Sequence, residues 1–292
     1  MMADVIDRLP WPLARDLLRL MRVDRPIGTW LLLWPALWSL CAAMPVGQID
    51  GQLLAIFVVG AFIMRSAGCV INDIADRHVD PHVARTCQRP LAAGRVTLRQ
   101  AVTLLVVLLL VAWLLAWQLN ALCWWLAWLG ALLALSYPFT KRFFHAPQLY
   151  MGAAFGWGAI MAWAAVTGQL SLTAWLIFAA TLTWAAGYDT IYAMMDRKDD
   201  RRIGIHSTAL LFERYDRLAV TLFYGASVML LMWVGRELQA GWGYHLALLG
   251  CAIQMAWQVR TIQGYQQELL LRVFLSNRWI GWVMAAGFCW RG

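Results

Sequence analysis

The stretch Asn72-Asp73-Ile74-Ala75-Asp76-Arg77-His78-Val79-Asp80 sets aspartates and an asparagine directly after an almost purely apolar run, residues 53–71. If a helix continues through it, Asn72, Asp76 and Asp80 stand four residues apart and share one face. Pro81 then ends the helix, because proline removes a backbone donor and clashes with the preceding turn. Carboxylates gathered on one face repel each other unless a cation lies between them. Oxygen donors without a nearby thiolate suit Mg²⁺ better than zinc; the plainer reading is a solvated acidic loop. A second stretch, Asp189-Thr190-Ile191-Tyr192-Ala193-Met194-Met195-Asp196-Arg197-Lys198-Asp199-Asp200, follows the apolar run 173–188 and repeats the one-turn spacing at Asp196 and Asp200. Two such patches, each closing an apolar helix, read as two walls of one site. Two Mg²⁺ ions held by facing carboxylates suit a diphosphate, whose oxygens bridge the metals.

The elements that position these carboxylates follow from composition. The chain is 62% hydrophobic and only 14% charged, whereas a soluble domain carries about 25% charged residues. It reads as an all-α, polytopic membrane protein. Nine apolar spans are expected at 27–46, 53–71, 101–119, 121–138, 148–167, 173–193, 218–235, 243–260 and 276–291, each near the length a bilayer requires. Many of the 19 Trp lie near span ends, where indole favours the headgroup region. The net charge of +8 is an orientation signal rather than a nucleic-acid footprint. Apart from Arg65, Arg236 and Arg291, the basic residues fall in the amino-terminal segment or in and beside the charged connections 72–100, 139–147, 194–217 and 261–275. The positive-inside rule places these segments, with both acidic motifs, in the cytoplasm. The whole chain, 1–292, reads as a single transmembrane domain. Its first 26 residues read as a cytoplasmic, Arg-bearing interfacial helix.

Other residues support the two motifs. Arg22, Asp24 and Arg25 sit at the membrane surface before Pro26, as an interfacial anchor or as substrate contacts. Arg65 lies seven residues before Asn72, two turns and about 10 Å deeper on the same side. Asp189 bears the same relation to Asp196. Charges at such depth are costly and usually face a polar cavity, so a polar chamber is expected below the metal face. The alternatives are snorkelling of Arg65 to the surface and a plain Arg65–Asp189 ion pair. The loop 81–100, with Arg85, Arg89 and Arg95, is long and basic enough to close over a diphosphate. Lys141 and Arg142 end the fourth span. Gly152 and Gly156 have the spacing of close helix packing. The six cysteines contain no CxxC pair and read as small buried apolar residues.

With these residues in view, the sequence resembles the UbiA superfamily of intramembrane aromatic prenyltransferases. Asn72-Asp73-x-x-Asp76-x-x-x-Asp80 matches its first motif, and Asp196-x-x-x-Asp200, preceded by Tyr192-Ala193, looks like its second. The strings Arg25-Pro26-Ile27-Gly28, Leu31-Leu32-Leu33-Trp34-Pro35, Arg65-Ser66-Ala67-Gly68-Cys69 and Gly187-Tyr188-Asp189-Thr190 look most like the 4-hydroxybenzoate polyprenyltransferase branch of ubiquinone synthesis. The resemblance implies a bundle of about nine helices in the bacterial cytoplasmic (inner) membrane, with a chamber opening to lipid. Asn72, Asp76, Asp80, Asp196 and Asp200 would hold Mg²⁺. Arg77, Lys141, Arg142 and Arg197 would stabilise a departing diphosphate, and Tyr192 lies beside the second motif. A polyprenyl chain would pass to the ring carbon ortho to the hydroxyl of 4-hydroxybenzoate. Arg65 or Arg25 would hold the benzoate carboxylate, and Asp189 would orient the phenol or help take up a proton. No nucleic acid and no obligate protein partner are implied. The rival readings are transfer to another acceptor, such as a naphthoate or haem, and a secondary transporter with intramembrane carboxylates.

Overall fold

The computed structural model describes residues 6–83 and 86–292; Arg85, one of the basic loop residues noted above, lies outside them. Among the described residues the regular structure is entirely helical. A short amphipathic helix, α1 (Pro12–Leu20), precedes α2 (Ile27–Ala43), α3 (Gly51–Asp76), α4 (Leu98–Trp117), α5 (Ala121–Thr140), α6 (Pro147–Thr167) and α7 (Leu172–Ile203). The short α8 (Thr208–Phe212) then leads to α9 (Asp216–Glu237), α10 (Trp242–Thr261) and α11 (Gln267–Cys289). Each expected span overlaps one of the long helices. Among the described residues, five stretches are long and apolar enough to cross a membrane by length and composition: Gly51–Asp76, Leu98–Trp117, Ala121–Thr140, Pro147–Thr167 and Thr208–Glu237. Ile27–Ala43 is a shorter apolar helix.

Local chemistry sets the helix starts. The Asp50 side chain accepts hydrogen bonds from the backbone N–H groups of Gln52 and Leu53 at the head of α3. Thr97 and Gln100 form a capping box on α4, Asn120 caps α5 and Ser171 caps α7. Each satisfies donors that the first turn leaves open, which matters more in lipid than in water.

Helices α2, α6, α7, α9, α10 and α11 pack successively, with α11 returning to α2, and α3, α4 and α5 stand against one side of this ring. The centre is aromatic: Trp34, Trp38, Trp184, Tyr188, Tyr244 and Phe288 are all fully buried. Several polar side chains inside are paired, which a low-dielectric interior favours. Trp38 donates to the Gly281 carbonyl at 3.0 Å, Trp184 to Asn277 at 3.0 Å, and Tyr224 to Gln258 at 2.7 Å. Gln258 on α10 and Asn277 on α11 are fully buried and belong to this interior. Gly152 lets α6 meet α7 closely: a Cβ there would lie 2.6 Å from the Leu182 carbonyl oxygen, the packing role its spacing predicts.

The ends of both motif helices differ from the sequence expectation, and α11 starts at Gln267, nine residues before the expected span. Helix α3 stops at Asp76 rather than running to Asp80. Proline disfavours the helical region for the residue before it and clashes with the carbonyl four back. Pro81 therefore makes the chain turn earlier, and Asp80 opens a 3₁₀ turn, Asp80–His82. Conversely, α7 runs unbroken through the second motif to Ile203, about ten residues past the expected span end, and stops at Gly204 in the left-handed conformation. At 1.5 Å per residue the helix is about 48 Å long, so its last turns stand clear of a hydrocarbon core about 30 Å thick.

Candidate active site

The two acidic stretches meet across one cavity of about 1800 Å³. Asn72, Asp73 and Asp76 on α3, Asp80 on its following turn, and Asp189, Asp196, Asp199 and Asp200 on α7 all line it. Arg25, Arg65, Lys141 and Tyr192 line it as well. The early end of α3 does not disperse the first motif. The turn after Asp76 folds back, with Val79 N–H donating to the Asp76 carbonyl at 2.8 Å, and Asp80 ends buried beside Asp73 and Asp76.

The chain's own cations partly offset the repulsion between these carboxylates. Arg22 donates to both oxygens of Asp73, at 2.9 and 3.1 Å. Arg89 bridges Asp73 at 3.1 Å and Asp80 at 2.8 Å. Lys141 pairs with Asp76. Burial opposes the charge on Arg89, but the Asp73 and Asp80 carboxylates outweigh it and hold its guanidinium above the ordinary arginine value. Arg22 reaches Asp73 from a backbone with φ of 58°, a conformation uncommon for a residue with a side chain. Helix α1 ends there, the chain reverses, and the guanidinium swings under α3. Sequence reading alone misses Asp73, Arg22 and Arg89 as one cluster, because the partners are separated by 51 and 16 positions and no periodicity joins them.

Among the described residues no group of three or more His, Cys, Asp or Glu stands close enough to hold a metal ion. The donor set nonetheless fits a hard divalent cation. It is all oxygen, it comes from two facing helices, and Asp76 Oδ1 is buried with no hydrogen-bond partner. An orphaned buried carboxylate oxygen is costly unless a cation or donor arrives.

Three of the expected diphosphate contacts do not line the cavity. Arg77 is exposed and donates to the Ile74 carbonyl at 3.1 Å, at the end of its own helix. Arg142 donates to the Ala75 carbonyl at 2.6 Å and lies 3.9 Å from Asp76 Oδ1, its side chain half exposed. Arg197 is held by Asp216, a fully buried carboxylate on α9, and lies over the Tyr265 ring. Asp216 also accepts from Tyr265 at 2.8 Å, so this cluster fastens the end of α7 to α9 and the α10–α11 connection.

Below the carboxylates, Arg65 and Asp189 face the same cavity. Among the described residues no ion pair within 4.0 Å joins them, so the plain ion-pair alternative does not form. Arg65 instead lies with its guanidinium 5.9 Å from the centre of the Phe155 ring and packs so tightly on Gly28 that any side chain there would collide with it. Tyr188 is 1% exposed, lines the cavity and leaves its hydroxyl without a partner; its neighbour Asp189 overshadows it in the sequence. Further along, the lining turns apolar, with Leu109, Leu110, Ala127, Ala131 and Trp128 from α4 and α5. One cavity therefore holds an acidic head, a polar middle with one cation and one anion, and an apolar tail.

The profile of the UbiA prenyltransferase family matches residues 32–284. A protein of Vibrio vulnificus (strain CMCP6) named 4-hydroxybenzoate octaprenyltransferase is 46% identical over 274 residues, covering 94% of this chain and 96% of that one. The protein of the same name from Nitrosococcus oceani is 49% identical over 269 residues, covering 92% and 94%. Among solved structures, the apo form of a UbiA homolog from Aeropyrum pernix K1 superposes with a TM-score of 0.78 at 27% identity, covering 89% of this chain and 96% of that one. A UbiA homolog from Archaeoglobus fulgidus bound to DMAPP and Mg²⁺ shares the fold at a TM-score of 0.74 and 16% identity, covering 94% and 98%.

Proposed function

The chain belongs to the UbiA prenyltransferase family, and from that premise we propose that it moves a polyprenyl chain from a polyprenyl diphosphate to the ring carbon ortho to the hydroxyl of 4-hydroxybenzoate, releasing diphosphate, in ubiquinone biosynthesis. The observation that carries this reading is the graded cavity. An anionic head, a cation and a carboxylate beneath it, and an apolar tail match a diphosphate, a hydroxybenzoate and a prenyl chain in that order. The curated relatives, with about half of their residues identical, support the acceptor. The chain acts as a single domain in the bacterial cytoplasmic membrane, with its amino terminus and carboxylates on the cytoplasmic side, as the distribution of basic residues favours.

Asn72, Asp76, Asp80, Asp196 and Asp200 would hold Mg²⁺, the ion bound with DMAPP in the Archaeoglobus fulgidus homolog. Bound there, it supplies charge neutralisation for the diphosphate. Lys141, already beside Asp76, is the cavity cation we assign to the departing oxygen. As the carbon–oxygen bond breaks, its electron pair leaves with the diphosphate and the prenyl fragment becomes an allylic cation. Tyr137, Tyr188, Tyr192 and Phe155 line the cavity; their ring faces favour a cation and their bulk keeps water from it. Arg65 pairs with the benzoate carboxylate, a match its planar fork suits. That contact turns the phenol end toward Asp189, which orients the hydroxyl and helps take up a proton. The ring carbon ortho to the hydroxyl attacks, and the ring proton leaves to restore aromaticity.

The test is transfer of label from ¹⁴C-4-hydroxybenzoate into a lipid-soluble product by the purified protein, given a polyprenyl diphosphate and Mg²⁺. Product dependent on all three is expected; labelling of a naphthoate in preference to 4-hydroxybenzoate would overturn the acceptor. In the same assay, Lys141→Met is expected to raise KM for the prenyl diphosphate by about 10- to 150-fold, the worth of one charge-assisted contact, while KM for 4-hydroxybenzoate stays near the wild-type value.

A further inference from the structure

At the end of the bundle opposite the carboxylates, Cys41 on α2 and Cys289 at the last turn of α11 bring their sulfurs to 2.6 Å. Their opposite placement follows from the chain path. Helix α2 starts next to Arg22, which is bonded to Asp73, and runs away from it to Ala43. Helix α11 starts at Gln267, just after Tyr265, whose hydroxyl bonds Asp216 on the carboxylate side. The two cysteines stand 248 positions apart, so the contact joins the first and last long helices. Cys69, Cys123 and Cys251, by contrast, are buried singly within the bundle.

Arg291 frames the pair. Its guanidinium donates to the carbonyls of Cys41 and Met44 and, at 3.1 Å, to that of Phe288. The next segment is docked as well, with Gly241 N–H donating to the Arg291 carbonyl at 2.7 Å. The guanidinium thus fixes the chain on both sides of the two sulfurs. Both cysteines are partly exposed, so a reagent at that membrane face reaches them.

We propose that Cys41 and Cys289 form a disulfide that clasps α2 to α11 on the face of the membrane away from the active site. With the carboxylates on the cytoplasmic side, this face meets the oxidising compartment, where such bonds persist. The oxidant is a disulfide-bearing oxidoreductase of that compartment. One thiolate attacks its disulfide, giving a mixed disulfide and releasing one oxidant thiolate. The second thiolate then displaces the other oxidant sulfur. Cys41 and Cys289 together lose two electrons and two protons, and the oxidant's disulfide becomes a dithiol. Helices α2 and α11 also form part of the cavity wall, through Trp30, Leu31, Phe274 and Arg278, so the clasp holds two walls of the site in register from their far ends.

The experiment is differential alkylation of the wild-type protein in membranes prepared without reductant. Thiols are blocked under denaturing conditions, disulfides are then reduced, and the newly exposed thiols receive a second label before peptide mass spectrometry. Cys41 and Cys289 are expected to carry the second label almost entirely, and an unreduced digest to contain the Cys41–Cys289 linked peptide; Cys69, Cys123 and Cys251 take the first label. Full first labelling of Cys41 and Cys289, or a reducible dimer in place of the intramolecular link, would overturn the proposal. In detergent, reductant is expected to lower the melting midpoint of the wild type by several degrees, and this dependence should vanish in Cys289→Ser. A midpoint that falls equally in both proteins would count against the clasp.

Discussion

Asp76→Asn and Asp196→Asn are each expected to reduce prenyl transfer by about 10³-fold or more, because losing a metal-holding carboxylate removes several kcal/mol of charge stabilisation at about 1.4 kcal/mol per tenfold. The two residues come from facing helices and line one cavity, so a shared role predicts losses of similar size. The variants differ in what they disturb besides chemistry. Asp76 is 4% exposed and paired with Lys141, so its replacement removes one partner of a part-buried ion pair and costs some stability as well. Asp196 lies near the end of α7, beside Arg197, whose pairing with Asp216 fastens that end, so the melting midpoint is measured for this variant as well. Chelation of the wild-type protein should stop turnover, and added Mg²⁺ should restore it. Turnover that persists in thoroughly chelated membranes, or either variant retaining more than a tenth of wild-type activity, would defeat the metal-site reading.

The second large effect concerns the middle of the cavity. Arg65→Ala and Asp189→Asn are expected to damage use of 4-hydroxybenzoate by about 10- to 150-fold in kcat/KM, the worth of one charge-assisted contact, with the KM for the prenyl diphosphate little changed. The structure sharpens this expectation, since the two groups share the cavity without forming an ion pair within 4.0 Å of each other. A structural pair would already be joined; two separated opposite charges facing one space leave room for a ligand between them. Gly28→Ala offers a second route to the same readout. The added methyl would collide with the Arg65 guanidinium and displace it without removing its charge, so it should raise the acceptor KM with a smaller loss than Arg65→Ala. A double variant with similar-sized apolar residues at 65 and 189 that remains stable and fully active would sink the acceptor-site assignment. A stable double variant that binds prenyl diphosphate and cannot use the acid would support it.

The sequence by itself determined the helices and the chemistry they carry. Long apolar runs with Asp50, Asn120 and Ser171 at their starts leave few alternatives to helix in a membrane, where each backbone donor must find an acceptor within its own segment. The four-residue spacing of Asn72 and Asp76, and of Asp196 and Asp200, is a local property, and so is the depth of Arg65 and Asp189 below them. All were legible because helical geometry turns sequence distance directly into rise and angle.

The tertiary structure decided which charges meet. Arg22, Arg89 and Lys141 reach the first motif across separations of 51, 9 and 65 positions, and Arg197 is drawn away to Asp216. Side-chain electrostatics alone does not choose among the many basic residues, because the choice depends on which helix ends the packing brings together. It also decided that Arg65 and Asp189 would stand apart and that Cys41 would find Cys289. The Arg22, Lys141 and Cys41 contacts join segments far apart in the chain, and they form only once the apolar faces of α2, α6, α7 and α11 have closed on one another and fixed the distances at both ends of the bundle.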